Sequence, residues 1–306
     1  MPDSQVLTFA THSMHPKPLR QRGKLSSFVT LSKPRILVMV VLMTAAGYFL
    51  GAKTVDPLLV FTMTLLGTAL SSAGAATLNN YLERDCDLEM ERTKERPIPA
   101  GIITPNEALI FGLVTALAGV ALLAWQVNIL TAFLSLLTTF LYVLVYTPLK
   151  RISWWNTVVG AIPGALPPMG GWAAATGELG VGAWIVFAIL FVWQHPHFYA
   201  IAWMYKDDYA RGGFKMLPVE YPDGKRTFRQ IIGFSIALIP ISLLPVYYDM
   251  AGSIYAIGMT ILGFGMLVPA IRLWRSHTVQ DARKLLQASI VYLPLFFALI
   301  LCDSNI

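Results

Sequence analysis

Charged side chains are scarce in this chain of 306 residues. Only 13% of the residues are Asp, Glu, Lys or Arg, whereas 56% are hydrophobic, and the mean hydropathy is +0.59. A soluble domain of this size carries about twice that share of charge, roughly 25%. The composition therefore excludes an ordinary soluble enzyme and predicts a protein that crosses a membrane several times.

Cysteines are also rare, and we expect no secretory signal. The chain has two cysteines, Cys86 and Cys302, which the topology below puts on opposite sides of the membrane. We therefore expect no disulfide, and no CxxC pattern indicates a metal or redox site. The first ~30 residues are polar and basic and have no apolar core of a signal peptide.

Long apolar runs make up most of the sequence, and the length of each is near the roughly 20 residues of a membrane helix. They predict an all-α polytopic membrane protein with nine transmembrane helices around a central cavity. We expect a cytoplasmic tail at 1–34 and a single transmembrane domain at 35–303. The nine predicted spans are 36–52, 58–78, 106–125, 128–146, 154–175, 182–203, 230–248, 253–271 and 286–302.

The basic residues are distributed unevenly between the loops. With nine spans, 22 of the 23 Lys and Arg residues fall on one side, and only Lys53 falls on the other. Cytoplasmic loops carry such an excess, so the amino terminus is predicted to be cytoplasmic. The net charge of +6 is thus mainly a topology signal, and we expect no nucleic-acid partner.

The most informative segment begins where the second apolar run ends, with LNNYLERDCDLEMERTKERPIP at 78–99. Asn79, Glu83 and Asp87 are spaced i, i+4, i+8, so a continuing helix places them on one face. Oxygen side chains of this kind suit Mg²⁺, which commonly shares its ligands with a substrate phosphate. Six acids within thirteen residues exceed what solvation of a helix end requires, so a metal–diphosphate site is predicted here.

A second cytoplasmic loop, about 204–229, also begins with acids, Asp207 and Asp208. Four spans separate it from the first acidic loop. This spacing favours two pseudo-repeated four-helix halves plus a ninth helix, with both loops above the same cavity. Asp208 is expected to reach a metal directly or through water; the alternative is an ordinary loop acid.

Many basic residues lie on the predicted cytoplasmic side, where each one alone satisfies the positive-inside rule. As a group they face the predicted polyanion, so some should bind it. Lys150 and Arg151, which directly follow Tyr146–Pro148, and the segment 92–96 are the first choices. The predicted substrate-binding set outside the acidic motifs is Lys33, Arg35, Arg92, Arg96, Tyr146, Lys150, Arg151, His195, His197 and Arg211.

Two spans carry unusual residues. The fifth contains four glycines and three prolines within 160–171, which predict close helix packing, a widened pocket, or both. The sixth contains His195 and His197 on either side of Pro196, and we expect this proline to break the helix so that the rings need not point apart. A histidine near the bilayer is a functional candidate, here for haem binding or proton transfer; a buried hydrogen-bonded pair is the alternative.

These residues resemble the protohaem IX farnesyltransferase family, a branch of the UbiA-type intramembrane prenyltransferase superfamily. The superfamily signature of Asn with acids four and eight positions later matches Asn79, Glu83 and Asp87, with Glu83 where Asp is usual. The second superfamily motif, DxxxD, retains only Asp208, because Met204 replaces the first acid. The further matches are LSKPRIL around Lys33, YTPLKR at 146–151, NTVVGAIPGALPPMGGW at 156–172 and WQHPHFYAIAWMYKDDYARGGFKMLPV at 193–219.

The resemblance implies transfer of a farnesyl group from farnesyl diphosphate to a vinyl group of haem B, followed by hydration to haem O. It implies Mg²⁺ as the cation and a multi-pass location in a bacterial inner membrane. Expected partners are the lipid bilayer and haem A synthase or terminal oxidase assembly proteins. The residues expected to act in catalysis are Asn79, Glu83, Asp85, Asp87 and Asp208, with Asn79, Glu83, Asp87 and Asp208 as metal ligands.

Two alternatives remain open at the level of the sequence. A prenyltransferase acting on an aromatic quinone precursor would use the same acidic motif. A membrane cation transporter belongs to another class, but transporters usually carry ionisable groups near the bilayer midplane. The predicted spans have no Asp, Glu, Lys or Arg in their middles, which argues against transport.

Overall fold

The computed structural model describes residues 23–304, which form fourteen α-helices and one π-helical segment. Over these residues the only β structure is an isolated bridge between Ala251 and Ser304. The predicted all-α class is therefore confirmed. Residues 1–22, most of the predicted tail, lie outside the described residues, so the predicted domain bounds 1–34 and 35–303 stay a prediction.

The helices follow the apolar runs in chain order. Helix α1 falls within the predicted tail, and α3 continues well beyond its apolar run. The first group is α1 (Lys24–Leu31), α2 (Pro34–Ala52), α3 (Leu58–Glu89), α4 (Pro105–Gln126), α5 (Ile129–Phe140), the π-helical segment (Leu141–Tyr146) and α6 (Thr147–Leu149). The second group is α7 (Asn156–Thr176), α8 (Val181–Met204), α9 (Lys206–Arg211), α10 (Leu217–Glu220), α11 (Lys225–Ser242), α12 (Leu244–Tyr247), α13 (Ser253–Ser276) and α14 (Val279–Cys302).

Eight helical segments of the described chain are long and apolar enough to cross a membrane. The fifth predicted span, α7, is a continuous helix of 21 residues but is not among them. Its prolines and glycines add little hydropathy, which explains the difference. A multi-pass membrane protein is thus confirmed, whereas the count of nine spans, the central cavity and the cytoplasmic amino terminus stay predictions.

Helix α3 is the element that carries the acidic motif out of the apolar layer. It has 32 residues, which corresponds to about 48 Å at 1.5 Å per residue and exceeds the roughly 30 Å of a bilayer core. Its last three turns therefore extend beyond the apolar run at the level of the loops. The helix ends at Glu89, and the backbone of the next residue, Met90, is extended.

Close glycine contacts hold α7 in the bundle. A Cβ on Gly171 would overlap the Thr44 carbonyl of α2, and one on Gly164 would overlap the Gln194 side chain of α8. Small residues allow helix backbones to approach in this way, and in a bilayer such contacts replace the hydrophobic effect as the driving force. The predicted close packing of the fifth span is confirmed, and α7 runs unbroken through its three prolines.

Candidate functional site

The three oxygen side chains of the first acidic motif lie on one buried face near the end of α3. Asn79 and Asp87 are 0% exposed and Glu83 is 5% exposed. Because a helix turns 100° per residue, positions four apart stack on the same side. A buried carboxylate is costly without a partner, so the important question is what neutralises Glu83 and Asp87.

Three cations from three different segments reach this face. The Lys33 ammonium donates to Asn79 Oδ1 at 2.6 Å. The Lys150 ammonium donates to Glu83 Oε1 at 2.6 Å. The Nη1 atom of Arg96 lies 2.9 and 2.7 Å from the two carboxylate oxygens of Asp87. Each of the three residues on the acidic face therefore contacts one cation. All three cations belong to the substrate-binding set predicted from the sequence.

Lys33 reaches the site from a tight turn between α1 and α2. Its φ of 50° lies in the left-handed region, where residues with a side chain are uncommon. The turn is held in place because Asn80 Nδ2 donates to the carbonyl of buried Leu31 at 2.9 Å. Burial, reinforced by the positive charge of Arg96, lowers the pKa of Lys33 to about 7.

Lys150 directly follows α6 and contacts both the Glu83 carboxylate and aromatic rings. Its ammonium lies 4.6 Å from the centroid of the Tyr146 ring, a cation–π distance. Burial works to lower the pKa of Lys150, but Glu83 and the two tyrosines beside it, Tyr146 and Tyr142, outweigh burial and raise it above its ordinary value. Lys150 thus stays a cation throughout the physiological range.

A hydroxyl that the sequence analysis missed completes this side of the site. The amide Nδ2 of Asn79 donates to Thr147 Oγ1 at 2.9 Å, and Thr147 donates in turn to the Tyr142 carbonyl at 2.8 Å. These bonds orient Asn79 so that its Oδ1 faces Lys33. Thr147 lies within the YTPLKR motif, but nothing in its local sequence indicates a contact 68 residues away.

The segment after α3 folds back and brings Arg96 to Asp87. Thr93 Oγ1 donates to the Asp87 carbonyl at 3.1 Å, which anchors the turn. The Nη1 atom of Arg96 also lies 4.0 Å from Glu83 Oε2. Arg96 therefore touches both carboxylates of the acidic face.

The second acidic motif lies against the first loop. Asp208 Oδ1 accepts from the backbone N–H of Glu91 at 2.9 Å and pairs with Arg211 Nη2 at 2.6 Å. Burial works to raise the pKa of Asp208, but the Arg211 hydrogen bond and the backbone N–H groups of Glu91 and Arg92 hold it below its ordinary value. The other carboxylate oxygen, Oδ2, is buried and has no partner within the described residues.

Three predicted site residues lie away from the acidic face. The Asp85 side chain is 73% exposed and lies 3.7 Å from Arg84, because two residues along a helix rotate the side chain by about 200°. Arg35 is exposed and forms no ion pair within residues 23–304. Arg151 is also exposed, although it lines the neighbouring cavity.

A cavity of about 350 Å³ lies beside Glu83. Its walls combine apolar side chains with the edge of the charged cluster. The lining residues are Leu82, Glu83, Cys86, Thr147, Pro148, Arg151, Ile152 and Phe214. The site therefore offers a charged end and an adjoining apolar surface, a combination suited to an amphiphile.

The two histidines of α8 lie outside the acidic cluster and face different neighbours. The predicted break at Pro196 is wrong, because α8 is a continuous helix from Val181 to Met204. Its turns direct His195 onto the Phe234 ring, with centroids 3.7 Å apart. His197 instead contacts Ser289 of α14 through Nδ1 at 2.8 Å.

Hydrogen bonding fixes the proton position on both rings. His195 Nδ1 lies 2.7 Å from the Phe191 carbonyl, which only accepts, so this nitrogen carries the proton. Ser289 Oγ gives its single proton to the Leu286 carbonyl at 2.6 Å, so His197 Nδ1 must donate to Ser289. Both Nε2 atoms are thus lone-pair donors, and that of His195 is buried without a partner in the described residues.

Comparison with known proteins identifies the class. Residues 40–300 match the model of the UbiA prenyltransferase family. A protoheme IX farnesyltransferase of Solibacter usitatus is 46% identical over 286 residues, covering 90% of this chain and 98% of that protein. One from Salinibacter ruber is 47% identical over 276 residues, with the same coverages of 90% and 98%.

Solved structures show the same fold at low sequence identity. A structure of digeranylgeranylglyceryl phosphate synthase has a TM-score of 0.78 at 16% identity and covers 92% of this chain and 98% of its own. A UbiA homolog from Archaeoglobus fulgidus, bound to GPP and Mg²⁺, has a TM-score of 0.68 at 18% identity and covers 90% and 99%.

The chain belongs to the UbiA prenyltransferase family and is a multi-pass membrane prenyltransferase. Within that family it groups with proteins named protoheme IX farnesyltransferase, which it resembles over about nine-tenths of its length. The family resemblance inferred from the motifs is therefore confirmed.

Proposed function

We propose that this enzyme transfers the farnesyl group of farnesyl diphosphate to a vinyl group of haem B and that water completes the product, haem O. The observation that carries the proposal is the buried oxygen face of Asn79, Glu83 and Asp87, matched by the cations Lys33, Lys150 and Arg96. The names of its relatives supply the acceptor and the prenyl donor.

The acidic face fits a hard divalent cation. It supplies one amide oxygen and two carboxylates, the oxygen ligands that Mg²⁺ prefers. Within residues 23–304 no group of three His, Cys, Asp or Glu side chains forms a metal site, so Asn79 is needed to complete the set. When bound, Mg²⁺ would neutralise the diphosphate and weaken the allylic C–O bond.

In this proposal the cations of the site change partners when substrate binds. Lys33, Lys150 and Arg96 now contact the very oxygens that a metal ion would use. In a complex with a metal–diphosphate, these three side chains would hold the phosphate oxygens and stabilise the charge that develops on the departing group. In this proposal Arg96 and the two lysines offset the charges of Glu83 and Asp87 without substrate and bind the leaving group with it.

Prenyl transfer then precedes the addition of water. The allylic C–O bond breaks, both electrons leave with the diphosphate, and the vinyl carbon forms a new bond to the farnesyl C1. Water adds to the cation left on the haem side chain and releases a proton, which gives the hydroxyethylfarnesyl group. Apolar walls such as Leu82 and Phe214 beside the charged cluster restrict water near the first cation.

The histidines of α8 suit a role toward haem. In a histidine that binds a metal, the N–H of the second ring nitrogen commonly donates a hydrogen bond to a carbonyl or another acceptor, which fixes the ring. His195 and His197 both meet this condition, with Phe191 and Ser289 as acceptors. One of the two Nε2 atoms binds the iron in this proposal, while the haem propionates face the basic cytoplasmic side.

The bacterial relatives favour a bacterial inner membrane as the location. Haem A synthase or terminal oxidase assembly proteins, which receive haem O, remain the expected partners.

The test is turnover by the purified protein. We expect haem B, farnesyl diphosphate and Mg²⁺ to give a product whose mass is that of haem B plus one farnesyl group and one hydroxyl group. Chelation of the metal by EDTA should stop the reaction. Prenylation of 4-hydroxybenzoate with none of haem B would instead assign the quinone-precursor reaction.

A further inference from the structure

The first helix, α1, exposes large apolar side chains on its outer side. Its buried residues, Ser27 and Leu31, are four positions apart and therefore lie on one side of the helix. Leu25 and Val29 are also four positions apart, and each is two positions before a buried residue, which turns it by about 200° from the core. They are 81% and 54% exposed. An aqueous helix would gain nothing from this outer apolar pair.

Polar side chains form a separate flank beside the apolar pair. Ser26 and Thr30 follow Leu25 and Val29 by one position each, which places them about 100° further round the helix. Ser26 is exposed, and the Thr30 hydroxyl donates to the Ser26 carbonyl at 2.8 Å. An apolar flank next to a polar flank on the outer surface is typical of helices that lie in the plane of a membrane interface.

The core side of α1 rests on the beginning of α4, which fixes its level in the molecule. The Lys24 ammonium lies 2.7 Å from a carboxylate oxygen of Glu107, and the Phe28 and Phe111 ring centroids are 4.8 Å apart. Both partners belong to the first two turns of α4, a candidate membrane span. Ile110, in the same two turns, is 63% exposed. Helix α1 therefore lies where the exposed apolar surface of α4 begins.

The chain enters the next candidate span directly after α1. Only Ser32 and Lys33 separate α1 from α2. In the first two turns of α2, Ile36 and Val38 are 59% and 57% exposed. Exposed apolar side chains thus occur on α1, on the span that follows it and on the span against which it packs. A large exposed apolar surface of this kind marks a place where a membrane or another molecule binds.

We propose that α1 lies in the membrane interface, with Leu25 and Val29 in contact with lipid acyl chains and Ser26 and Thr30 directed toward the headgroups. The bilayer is the occupant of the apolar flank because the exposed apolar surfaces of the spans α2 and α4 begin at α1. Helix α1 then belongs to the membrane layer and not to an aqueous tail. Because Lys33 follows α1 by two residues, this anchor also holds the lysine near the level of the headgroups.

The test measures what surrounds each flank of α1. A nitroxide label is attached at Leu25→Cys or Val29→Cys in the full-length protein, reconstituted in phosphatidylcholine–phosphatidylglycerol nanodiscs. The parent carries Cys302→Ser, because Cys302 is exposed whereas Cys86 is buried. Paramagnetic resonance reports collisions of the label with O₂, which concentrates in acyl chains, and with nickel ethylenediaminediacetate, which stays in water. At both positions we expect more collisions with O₂ than with the nickel complex.

Two matched labels calibrate the measurement. Ile110→Cys on α4 is the lipid-facing reference and should resemble the labels at Leu25 and Val29. Ser26→Cys, on the polar flank of the same helix, should collide more with the nickel complex. If the label at Leu25 or at Val29 collides more with the nickel complex, α1 lies in water and the proposal is wrong. Few collisions with either reagent would show that protein, such as a second copy of the chain, covers this flank, and would also overturn it. None of these results depends on which reaction the enzyme catalyses.

Discussion

The Lys150 ammonium lies 2.6 Å from the Glu83 carboxylate, although 67 residues separate the two along the chain. Both side chains are largely buried, with 13% and 7% of their surfaces exposed. A buried ion pair is often no more stable than apolar side chains of similar volume, because both charges must lose their water. Its presence beside a cavity therefore favours a functional explanation, which the following experiments examine.

Removing the Lys150 charge should weaken binding of the prenyl diphosphate. We expect Lys150→Met to raise the KM for farnesyl diphosphate by at least about tenfold, which corresponds to ~1.4 kcal/mol. Steady-state kinetics at saturating haem B would measure it. Lys94→Met is the control, since Lys94 is exposed and Glu91 is its ion-pair partner among residues 23–304. An equal KM for Lys150→Met and the wild type would show that this lysine serves topology alone.

Asp87 should be required for turnover. Asp87→Asn preserves the size of the side chain but removes the charge that Arg96 and a metal ion would share, so we expect kcat to fall by about 10²-fold or more. Glu89→Gln, two positions later on the exposed side of α3, should retain activity. Size-exclusion chromatography would verify that both variants fold. Near-normal turnover of Asp87→Asn at saturating Mg²⁺ contradicts the assignment.

The lowered pKa of Lys33 leads us to expect that diphosphate binding depends on pH. Its pKa of about 7 in the free enzyme should rise when an anion binds, so the complex holds more protons than the free protein. By linkage, affinity is greatest below pH 7 and declines as the pH increases above that value. Binding measured between pH 6 and 9 should show this decline, and Lys33→Gln should flatten it. A wild-type affinity that is constant or increases over this range refutes the prediction.

The histidines of α8 predict a spectroscopic change. We expect His195→Ala or His197→Ala to shift the Soret band of bound haem B or to weaken its binding, because one Nε2 atom ligates the iron. Farnesyl diphosphate binding should be little affected, since neither residue contacts the acidic face. If both single variants and the double variant bind haem with an unchanged spectrum and affinity, iron ligation is wrong. Persistent turnover would then make the pair structural.

The local sequence was sufficient to predict the helices and the acidic face of the site. The apolar runs place the helices, because a membrane helix needs about 20 apolar residues and satisfies its own backbone hydrogen bonds. The i, i+4, i+8 spacing puts Asn79, Glu83 and Asp87 on one side of α3. The same helical geometry should have excluded Asp85, whose position turns it away from that face.

The helix break predicted at Pro196 from the local sequence was wrong. A proline removes one backbone hydrogen bond, and this loss favours a break when a helix is considered alone. Inside the bundle, contacts with the neighbouring helices keep α8 continuous, and the two histidines consequently face α11 and α14.

The sequence by itself determined the all-helical membrane class, the family and the position of the acidic face, since each depends on periodicity or motif within one segment. Only the tertiary structure decided which cations meet that face. It paired Lys33 with Asn79, Lys150 with Glu83, and Asp208 with the backbone of Glu91. The basic residues all satisfy the same topological rule, so their sequence positions do not distinguish them. Their selection depends on how distant segments pack, where a buried charge must find a partner.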